Sequence, residues 1–215
     1  MGDAREIVVV GAGGHATVVI DALIAGGRRP AFVLDDDPSK RGAQIGGITI
    51  RGPLAELSEQ ELQRCSIVVA IAKNDLRRRL VLDLLGRHAT LCGVRHPSAI
   101  ISPQATMDPT TQIMAGAIVN AGATIKAHAV LNTGCIVEHD ASVAEYTHIG
   151  PGAILAGAAV LEQGVFVATG AKVCPFVRLG SWSTLGAGAV ALRDVPAKAV
   201  AVGVPARVIQ KETPP

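Results

Sequence analysis

From residue 101 to residue 196 the sequence reads ISPQAT-MDPTTQ-IMAGAI-VNAGAT-IKAHAV-LNTGCI-VEHDAS-VAEYTH-IGPGAI-LAGAAV-LEQGVF-VATGAK-VCPFVR-LGSWST-LGAGAV-ALRDVP, sixteen consecutive hexads without an insertion. The first position holds a large aliphatic residue in fifteen of the sixteen hexads, and the fifth holds Ala, Ser, Thr, Cys or Val in all of them. Agreement at so many registered positions does not arise by chance. The repeat therefore decides the fold of this half of the chain.

A large aliphatic side chain every six residues, followed by a small one four positions later, suits a short strand and a tight corner. Three strands and three corners close one triangular coil, whose interior is filled by the first-position side chains. The hexads therefore predict about five stacked coils. Because the flat sides carry few polar side chains and both ends are open, we expect capping and association with further copies.

Before Ile101 the pattern changes to apolar runs that alternate with helix-like stretches, which predicts a small parallel α/β domain. The predicted strands are 6–11, 31–35, 67–72 and 89–94, and the predicted helices are 14–27, 53–63 and 74–87. The segment VRHPS (94–98) contains a proline that stops both rhythms. We therefore expect one domain at 1–96 and a second at 97–215, the latter ending in a short tail.

A glycine-rich turn, GAGGHA (11–16), follows the first predicted strand and leads into a helix, and the second strand ends in DDD (35–37). Such a turn leaves backbone N–H groups and a helix N-terminus free for a phosphate, and a carboxylate at the end of the second strand can accept hydrogen bonds from a ligand. This arrangement is typical of a nucleotide site, although glycines at strand–turn–helix junctions also serve packing alone.

Composition excludes several classes of protein. The formal net charge is only +2, so nothing indicates nucleic-acid binding, and no apolar run is long enough to span or insert into a membrane. The four cysteines are scattered without a C-x-x-C pair, which argues against a disulfide framework and a zinc site. No signal peptide is recognisable, so the sequence predicts a soluble cytoplasmic protein.

Both halves resemble the sialic acid O-acetyltransferase and bacterial UDP-sugar N-acetyltransferase family. The resemblance rests on the segments GAGGHATVV, VLDDD, AIAKND, HPSAIISPQA, LNTGCIVEHDASV, HIGPGAILAG and VGVPARVI. It implies a Rossmann-like sugar-nucleotide-binding domain followed by a left-handed parallel β-helix, and a homotrimer. It also implies acetyl transfer from acetyl-CoA to a nucleotide sugar, in a pathway such as polysaccharide biosynthesis.

The resemblance assigns the catalytic centre to LNTGCIVEHD (131–140). His139 corresponds to the general base, Asp140 to the acid that raises its basicity, and Asn132 to an asparagine near the same centre. His148 and Gly157 correspond to residues that contact acetyl-CoA. A histidine titrates near neutrality and can take a proton from an attacking amine or hydroxyl, so the chemistry permits this role for His139.

For the sugar nucleotide, the resemblance assigns Gly13, Gly14 and His15 to the phosphate loop, and Asp35 and Asp36 to the pair that contacts uracil and ribose. Ala72 stands at a substrate-binding position where relatives usually have glycine. These assignments predict nucleotide binding by the first domain.

The distribution of charge adds two candidates for the cofactor. Six of the seven basic residues after Ile101 lie at or beyond Lys172. Because CoA carries a pyrophosphate and a 3′-phosphate, we expect it to run from His139 toward the C-terminal coils, near Lys172 and Arg178.

Several alternatives remain open at the level of sequence. O-acetylation of a sugar is the nearest variant, whereas a nucleotide-sugar or NAD-dependent oxidoreductase would leave the hexads unexplained, and a scaffold would bind sugar nucleotides without catalysis.

His128, His139 and His148 do not share a hexad position, so we predict no metal site, and we expect His128 to be an exposed turn residue. Cys135 is predicted to lie in the core, and Arg77–Arg79 to form a solvated helix face.

Overall fold

The computed structural model describes residues 5–211, apart from the side chains of Gln210 and Lys211. These residues belong to two compact units, one up to Pro97 and one from Ser98 onward. Within the described range, no helix combines the length and apolar character needed to cross a membrane.

The first unit is a small α/β domain with a six-stranded sheet in the order β3-β4-β2-β1-β5-β6, parallel except for the antiparallel edge strand β3. Its strands are β1 Glu6–Val10, β2 Phe32–Leu34, β3 Gln44–Ile45, β4 Ile48–Gly52, β5 Cys65–Val69 and β6 Thr90–Leu91. Its helices are α1 Gly14–Ala25, α2 Glu59–Arg64 and α3 Asn74–Gly86, and a further short strand, β7, spans Val94–Arg95.

Two local features of this unit differ from the sequence prediction. The β3–β4 hairpin was not predicted; its two-residue turn is Gly46-Gly47, and both glycines have positive φ, as the tight hairpin turn requires. The helix predicted at 53–63 is instead a 3₁₀ turn at Leu54–Glu56 followed by α2. Ser58 is the N-cap of α2. Its hydroxyl accepts a hydrogen bond from the Glu61 amide, and the Glu61 carboxylate accepts one from the Ser58 amide.

The second unit is a left-handed parallel β-helix built from two-residue strands. These are β8 Ile100–Ile101, β9 Thr106–Met107, β10 Gln112–Ile113, β11 Ile118–Val119, β12 Thr124–Ile125, β13 Val130–Leu131, β14 Ile136–Val137, β15 Ser142–Val143, β16 His148–Ile149, β17 Ile154–Leu155, β18 Val160–Leu161, β19 Phe166–Val167, β20 Lys172–Val173, β21 Arg178–Leu179, β22 Thr184–Leu185 and β23 Val190–Ala191. An antiparallel pair, β24 Ala199–Val202 and β25 Arg207–Lys211, follows them.

Each strand pairs with the one three hexads later, as Ile118 does with Ile136 and Ile136 with Ile154. The pairing creates three faces. The first face contains β10, β13, β16, β19, β22 and β24, the second β8, β11, β14, β17, β20 and β23, and the third β9, β12, β15, β18 and β21. The corner between the second and third faces, here called the second corner, includes 102–105, 120–123, 138–141, 156–159 and 174–177.

The core confirms the hexad prediction. First-position residues from Ile113 to Ala191 are buried, and the fifth-position residues from Thr111 to Val195 line the interior beside them. Close packing of these small and branched side chains explains why so few aromatic residues are needed.

The fourth position of each hexad from IMAGAI to LGAGAV has positive φ. Glycine occupies it in some hexads, but His128, Asp140, Tyr146, Ala158, Phe176 and Trp182 adopt the same left-handed conformation. Asparagine and aspartate tolerate this conformation better than bulky residues do. The backbone therefore turns the Asp140 side chain outward at the second corner.

Candidate active site

A histidine–carboxylate pair lies on the second corner. His139 Nδ1 is 2.9 Å from Asp140 Oδ2, and both side chains are largely exposed, at 63% and 69%. A carboxylate can only accept, so Nδ1 carries the proton and donates, which leaves the lone pair on Nε2. The geometry supplies a base with a fixed tautomer that a ligand can reach.

Two glycines in the adjacent coils hold this pair in place. A Cβ atom on Gly157 would lie 2.6 Å from both Cε1 and Nε2 of His139, so the ring edge rests against the bare backbone of the next coil. A Cβ on Gly122, in the preceding coil, would collide with Asp140 Oδ1, and φ there is +75°. The absence of both side chains creates the slot in which the pair lies.

Replacement of Gly157 by Ala is expected to displace the His139 ring, because a methyl group cannot lie 2.6 Å from it. Misplacement of a catalytic group by about 1 Å can cost about 10²-fold, so we expect kcat for thiol release from acetyl-CoA to fall by about that factor. The melting temperature should change little, since the position is at the surface corner. An increase confined to the KM for acetyl-CoA would instead mean that Gly157 acts through the cofactor.

A second pair of polar side chains lies at the edge of the first face, with His148 in β16 and Asn132 at the start of the corner that follows β13. The Thr133 amide donates to Asn132 Oδ1 at 2.8 Å, which fixes the orientation of the Asn132 amide. Asn132 Nδ2 is then the atom that lies 3.1 Å from His148 Nε2, so His148 Nε2 accepts and the Asn132 N–H donates. His148 is 5% exposed and its ring lies 5.3 Å from the ring of Phe166.

The predicted catalytic residues thus form two groups within one chain. His139, Asp140 and Gly157 come together on the second corner, whereas His148 on the first face contacts Asn132 at the start of the corner next to that face. In a triangular coil the second corner is opposite the first face, and the packed core lies between them. A single chain therefore does not unite the two groups.

In the first unit, the glycine-rich turn has the predicted form. Gly13 caps α1 with extended backbone, and nothing lies within 4 Å of the Cβ position of either Gly13 or Gly14. Gly11 has a φ of +105°, and a Cβ there would approach Ile71 Cδ1 to 2.6 Å. His15 is half-buried in the first turn of α1. The exposed start of α1 can accept an anion such as a phosphate.

Asp35 and Asp36 have different surroundings. Asp35 accepts hydrogen bonds from the amides of Ala12 at 2.7 Å and Asp37 at 3.0 Å, and Lys40 Nζ is 3.1 Å from it. Burial raises the pKa of Asp35, but these hydrogen bonds and the Lys40 ammonium outweigh it and lower the pKa overall. Asp35 therefore connects the glycine-rich turn to the end of β2. Asp36, by contrast, is exposed.

Comparison with known proteins places this geometry in a family. The family model described as the PglD N-terminal domain matches residues 6–84. A histidine-to-asparagine variant of perosamine N-acetyltransferase from Caulobacter crescentus, solved with CoA and GDP-perosamine, is 34% identical with a TM-score of 0.91, covering 97% of this chain and 98% of that chain. The acetyltransferase domain of PglB from Neisseria gonorrhoeae, in complex with acetyl coenzyme A, is 32% identical with a TM-score of 0.86, covering 95% and 99%.

The chain belongs to the hexapeptide-repeat sugar acetyltransferases. It is therefore an acyltransferase. WeeI from Acinetobacter baumannii, at 22% identity and a TM-score of 0.86 over 95% of this chain and 99% of that one, shares the fold.

The two cationic candidates of this acyltransferase flank the second corner two coils beyond His139. Lys172 is exposed on the second face, and Arg178 is on the third, where its Nη1 lies 3.1 Å from Glu162 Oε1. Hydrogen bonds from Ser181 and from Arg178 lower the pKa of Glu162. Part of the Arg178 charge is thus balanced within the chain, whereas Lys172 is the more available cation for a phosphate.

Cys135 does not have the surroundings of a nucleophile in this enzyme. It is fully buried at the fifth position of its hexad, and burial raises its pKa to about 12. A thiol of that kind forms almost no thiolate at neutral pH. Direct transfer of the acyl group fits the site better than a covalent intermediate on Cys135.

The prediction that Arg77–Arg79 form a solvated face is wrong for Arg77. Its side chain is fully buried, and its Nη1 donates to the carbonyl oxygens of Ile71 at 2.9 Å and Ala72 at 3.1 Å. Its Nη2 donates to Asn74 Oδ1 at 2.8 Å. These hydrogen bonds hold the segment after β5, whose Ile71 packs against Gly11, in a fixed path. Ala72 itself is exposed there.

Three further features of the acyltransferase were missed at the level of sequence. His128 is half-buried rather than exposed, since its ring stacks on that of Tyr146 at 5.4 Å. Gly122 shapes the slot for Asp140. Phe176 is 80% exposed on the second corner, two coils beyond His139. The sequence does contain a signal for Phe176, because it is an aromatic residue at the fourth position of its hexad, where glycine is frequent.

Proposed function

We propose that this acyltransferase transfers an acetyl group from acetyl-CoA to the amino group of a nucleotide-diphosphate-linked sugar, with His139 as general base. The observation that carries the proposal is the exposed His139–Asp140 pair, in which Nε2 keeps its lone pair. The complexes of the relatives with GDP-perosamine and with acetyl coenzyme A support these two substrates. The first unit supplies nucleotide binding through the Gly13-Gly14 turn.

The reaction follows from this pair. The acceptor amine attacks the thioester carbonyl carbon as His139 Nε2 takes its proton, and Asp140 stabilises the resulting imidazolium. The tetrahedral intermediate then collapses, the carbon–sulfur bond breaks, and the imidazolium returns the proton to the CoA thiolate. The products are the acetylated sugar nucleotide and free CoA, and the base is regenerated.

We propose a homotrimer in which the two groups of catalytic residues meet across the subunit interface. The outward sixth-position side chains of the second face are Ile100, Ile118, Ile136 and Ile154, followed by Lys172 and Val190. The same positions on the third face are Thr106, Thr124, Ser142, Val160 and Arg178. A continuous isoleucine ladder on one face of a monomer marks an interaction site. Burial of this ladder against the first face of a neighbour would bring its Asn132 and His148 toward His139.

The path of acetyl-CoA follows the second corner in this proposal. Gly157 and Pro175 stack successively below His139, so the corner offers a narrow lane without large side chains as far as Phe176. Coils are spaced by about 4.8 Å, so Phe176 and Lys172 lie about two coils away. The pantetheine arm would occupy this lane, and Lys172 and Arg178 would face the phosphates of CoA.

A thiol-release assay tests the proposal. The full chain is incubated with acetyl-CoA and a panel of GDP-, UDP- and dTDP-linked amino sugars, together with matched sugars that bear only hydroxyl groups. We expect release of CoA thiol with at least one amino sugar and a mass increase of one acetyl group on its nitrogen. Acetylation only of hydroxyl sugars would replace the N-acetyl assignment by O-acetylation, and no release with any acceptor would refute it.

A further inference from the structure

The second corner changes in character at His139. In the coils before it, the corner carries the polar side chains of Ser102, Gln104 and Asn120. In the coils after it, from Gly157 onward, lies the lane that the proposed path assigns to acetyl-CoA. Direct transfer requires both substrates at the base at the same time, so the acceptor must approach His139 from the polar side.

Glu138 directly precedes the base on this corner. Its side chain is half-buried, and its Oε2 accepts a hydrogen bond from Asn120 Nδ2 at 3.0 Å, eighteen residues earlier in the preceding coil. The backbone of both residues is fixed, since the Asn120 amide donates to Val137 and the Glu138 amide to Leu155, each at 2.9 Å. Within residues 5–211, Glu138 Oε1 has no hydrogen-bond or ion-pair partner. Asn120 thus orients the carboxylate and leaves one of its oxygens available to a ligand.

Two consecutive residues therefore offer hydrogen-bond acceptors, His139 through Nε2 and Glu138 through Oε1. A neutral primary amine has two N–H donors, so it can donate to both and keep its lone pair for the thioester carbon. A hydroxyl group has one O–H donor, and it would leave one acceptor unpaired. Sites built to hydrogen-bond a substrate group discriminate strongly against an analogue that lacks a donor, because a desolvated polar group then has no partner.

We propose that Glu138 is a specificity-determining residue that accepts a hydrogen bond from the acceptor amine, so that the enzyme selects an amino sugar over its hydroxyl counterpart. This inference rests on the proposed function and narrows its acceptor to a primary amine. The transferred proton still goes to His139, and Glu138 takes none. Asn120 is a positioning residue, since it acts through Glu138.

Glu138→Met tests the assignment, because it removes both oxygens and keeps a side chain of similar length. Each amino sugar nucleotide of the panel and its hydroxyl counterpart are titrated into the full chain with CoA present. We expect the unmodified enzyme to bind the amino sugar about tenfold or more tightly than the hydroxyl sugar. Glu138→Met should lose this difference, because only the affinity for the amine falls.

Kinetics give a second readout for the same residue. In Glu138→Met, kcat/KM for the amino sugar should fall by about 10–100-fold, whereas the KM for acetyl-CoA and the melting temperature should be retained. Glu138→Gln keeps an acceptor oxygen and should recover part of the loss. Glu145→Met is the matched control: Glu145 is also half-buried and without an ion pair among the described residues, but it lies at 144–147, the corner between the third and first faces. Its replacement should change both affinities by less than about twofold.

Three results would overturn the inference: no amine preference in the unmodified enzyme, a preference that survives Glu138→Met, or an equal loss of affinity for both sugars in that variant. Failure of the proposed function gives a different pattern. Undiminished thiol release with an amino sugar in Glu138→Met would leave N-acetyl transfer intact and remove Glu138 from acceptor selection. An amine preference that Glu138→Met abolishes, without thiol release from any acceptor, would do the reverse.

Discussion

Replacement of His139 by Asn is expected to lower kcat for acetyl transfer by about 10²–10⁴-fold while leaving acetyl-CoA binding nearly unchanged. Asparagine is smaller than histidine, and its amide can still donate a hydrogen bond to Asp140, but it cannot accept a proton from the attacking amine. Because His139 is largely exposed, its replacement removes little packing and the melting temperature should be retained. Thiol-release kinetics and titration with acetyl-CoA measure the two effects separately.

His128→Asn is the matched control for this experiment. It removes a histidine from a neighbouring corner of the same β-helix, where the ring stacks on Tyr146 and has no role in the proposed chemistry. We expect turnover within about twofold of the unmodified enzyme, because substitutions outside the catalytic centre have small effects. Equal losses in both variants would mean that the His139 effect is structural, and retention of full activity in His139→Asn would remove the histidine from the mechanism.

The side chain at position 140 determines which tautomer His139 adopts. The carboxylate holds Nδ1–H, so Nε2 keeps the lone pair that the proposed mechanism uses. An amide at this position can present its NH₂ group to Nδ1 and stabilise the wrong tautomer, which is costly in other histidine–carboxylate pairs. The position also requires a left-handed backbone, at φ +60°, which Asn adopts as readily as Asp.

The hexads allow the β-helix to be predicted because their chemistry is periodic. Each first-position aliphatic residue, such as Val137, lies in the core, and each neighbour three hexads away lies directly beside it. Register then follows from counting. His139 and Gly157 are eighteen residues apart, so their stacking could in principle have been foreseen from the repeat alone.

The features that were missed depend on single contacts rather than on periodicity. Arg77 stands beside two exposed arginines in the sequence, and only the path of the segment after β5 shows that its guanidinium is buried against the carbonyl oxygens of Ile71 and Ala72. Likewise, the sequence alone does not distinguish Asp35 from Asp36, since both are aspartates at the end of the same strand. Their difference arises because the Ala12 and Asp37 amides converge on one of them.

The predicted catalytic residues lie on two sides of the β-helix, so the proposed mechanism ties activity to assembly. If His139 requires Asn132 and His148 of a neighbouring copy, activity must depend on association. Disruption of the isoleucine ladder must then abolish both the association and the activity. A nucleotide-binding scaffold has no such requirement. The proposal therefore predicts that a variant that loses association also loses turnover.

If the proposed trimer forms through the isoleucine ladder, Ile136→Asp is expected to convert it into monomers and to lower kcat/KM by about 10²-fold or more. Ile136 is an outward residue in the middle of the ladder, between Ile118 and Ile154. A carboxylate without a partner in an apolar interface costs about 3–5 kcal/mol, and three-fold symmetry repeats that cost at each interface. Light scattering coupled to size exclusion gives the mass, and thiol release gives the activity.

Ser142→Asp is the matched control, since it introduces the same carboxylate at the sixth position of the following hexad, on the third face of the same coil. That face carries polar residues, so the variant should stay trimeric and active. Circular dichroism should show intact β-helices in both variants, because the core residues Val137 and Val143 are unchanged. A monomer of Ile136→Asp with full turnover would show that one chain holds a complete site, and a trimer would mean that copies associate through another face.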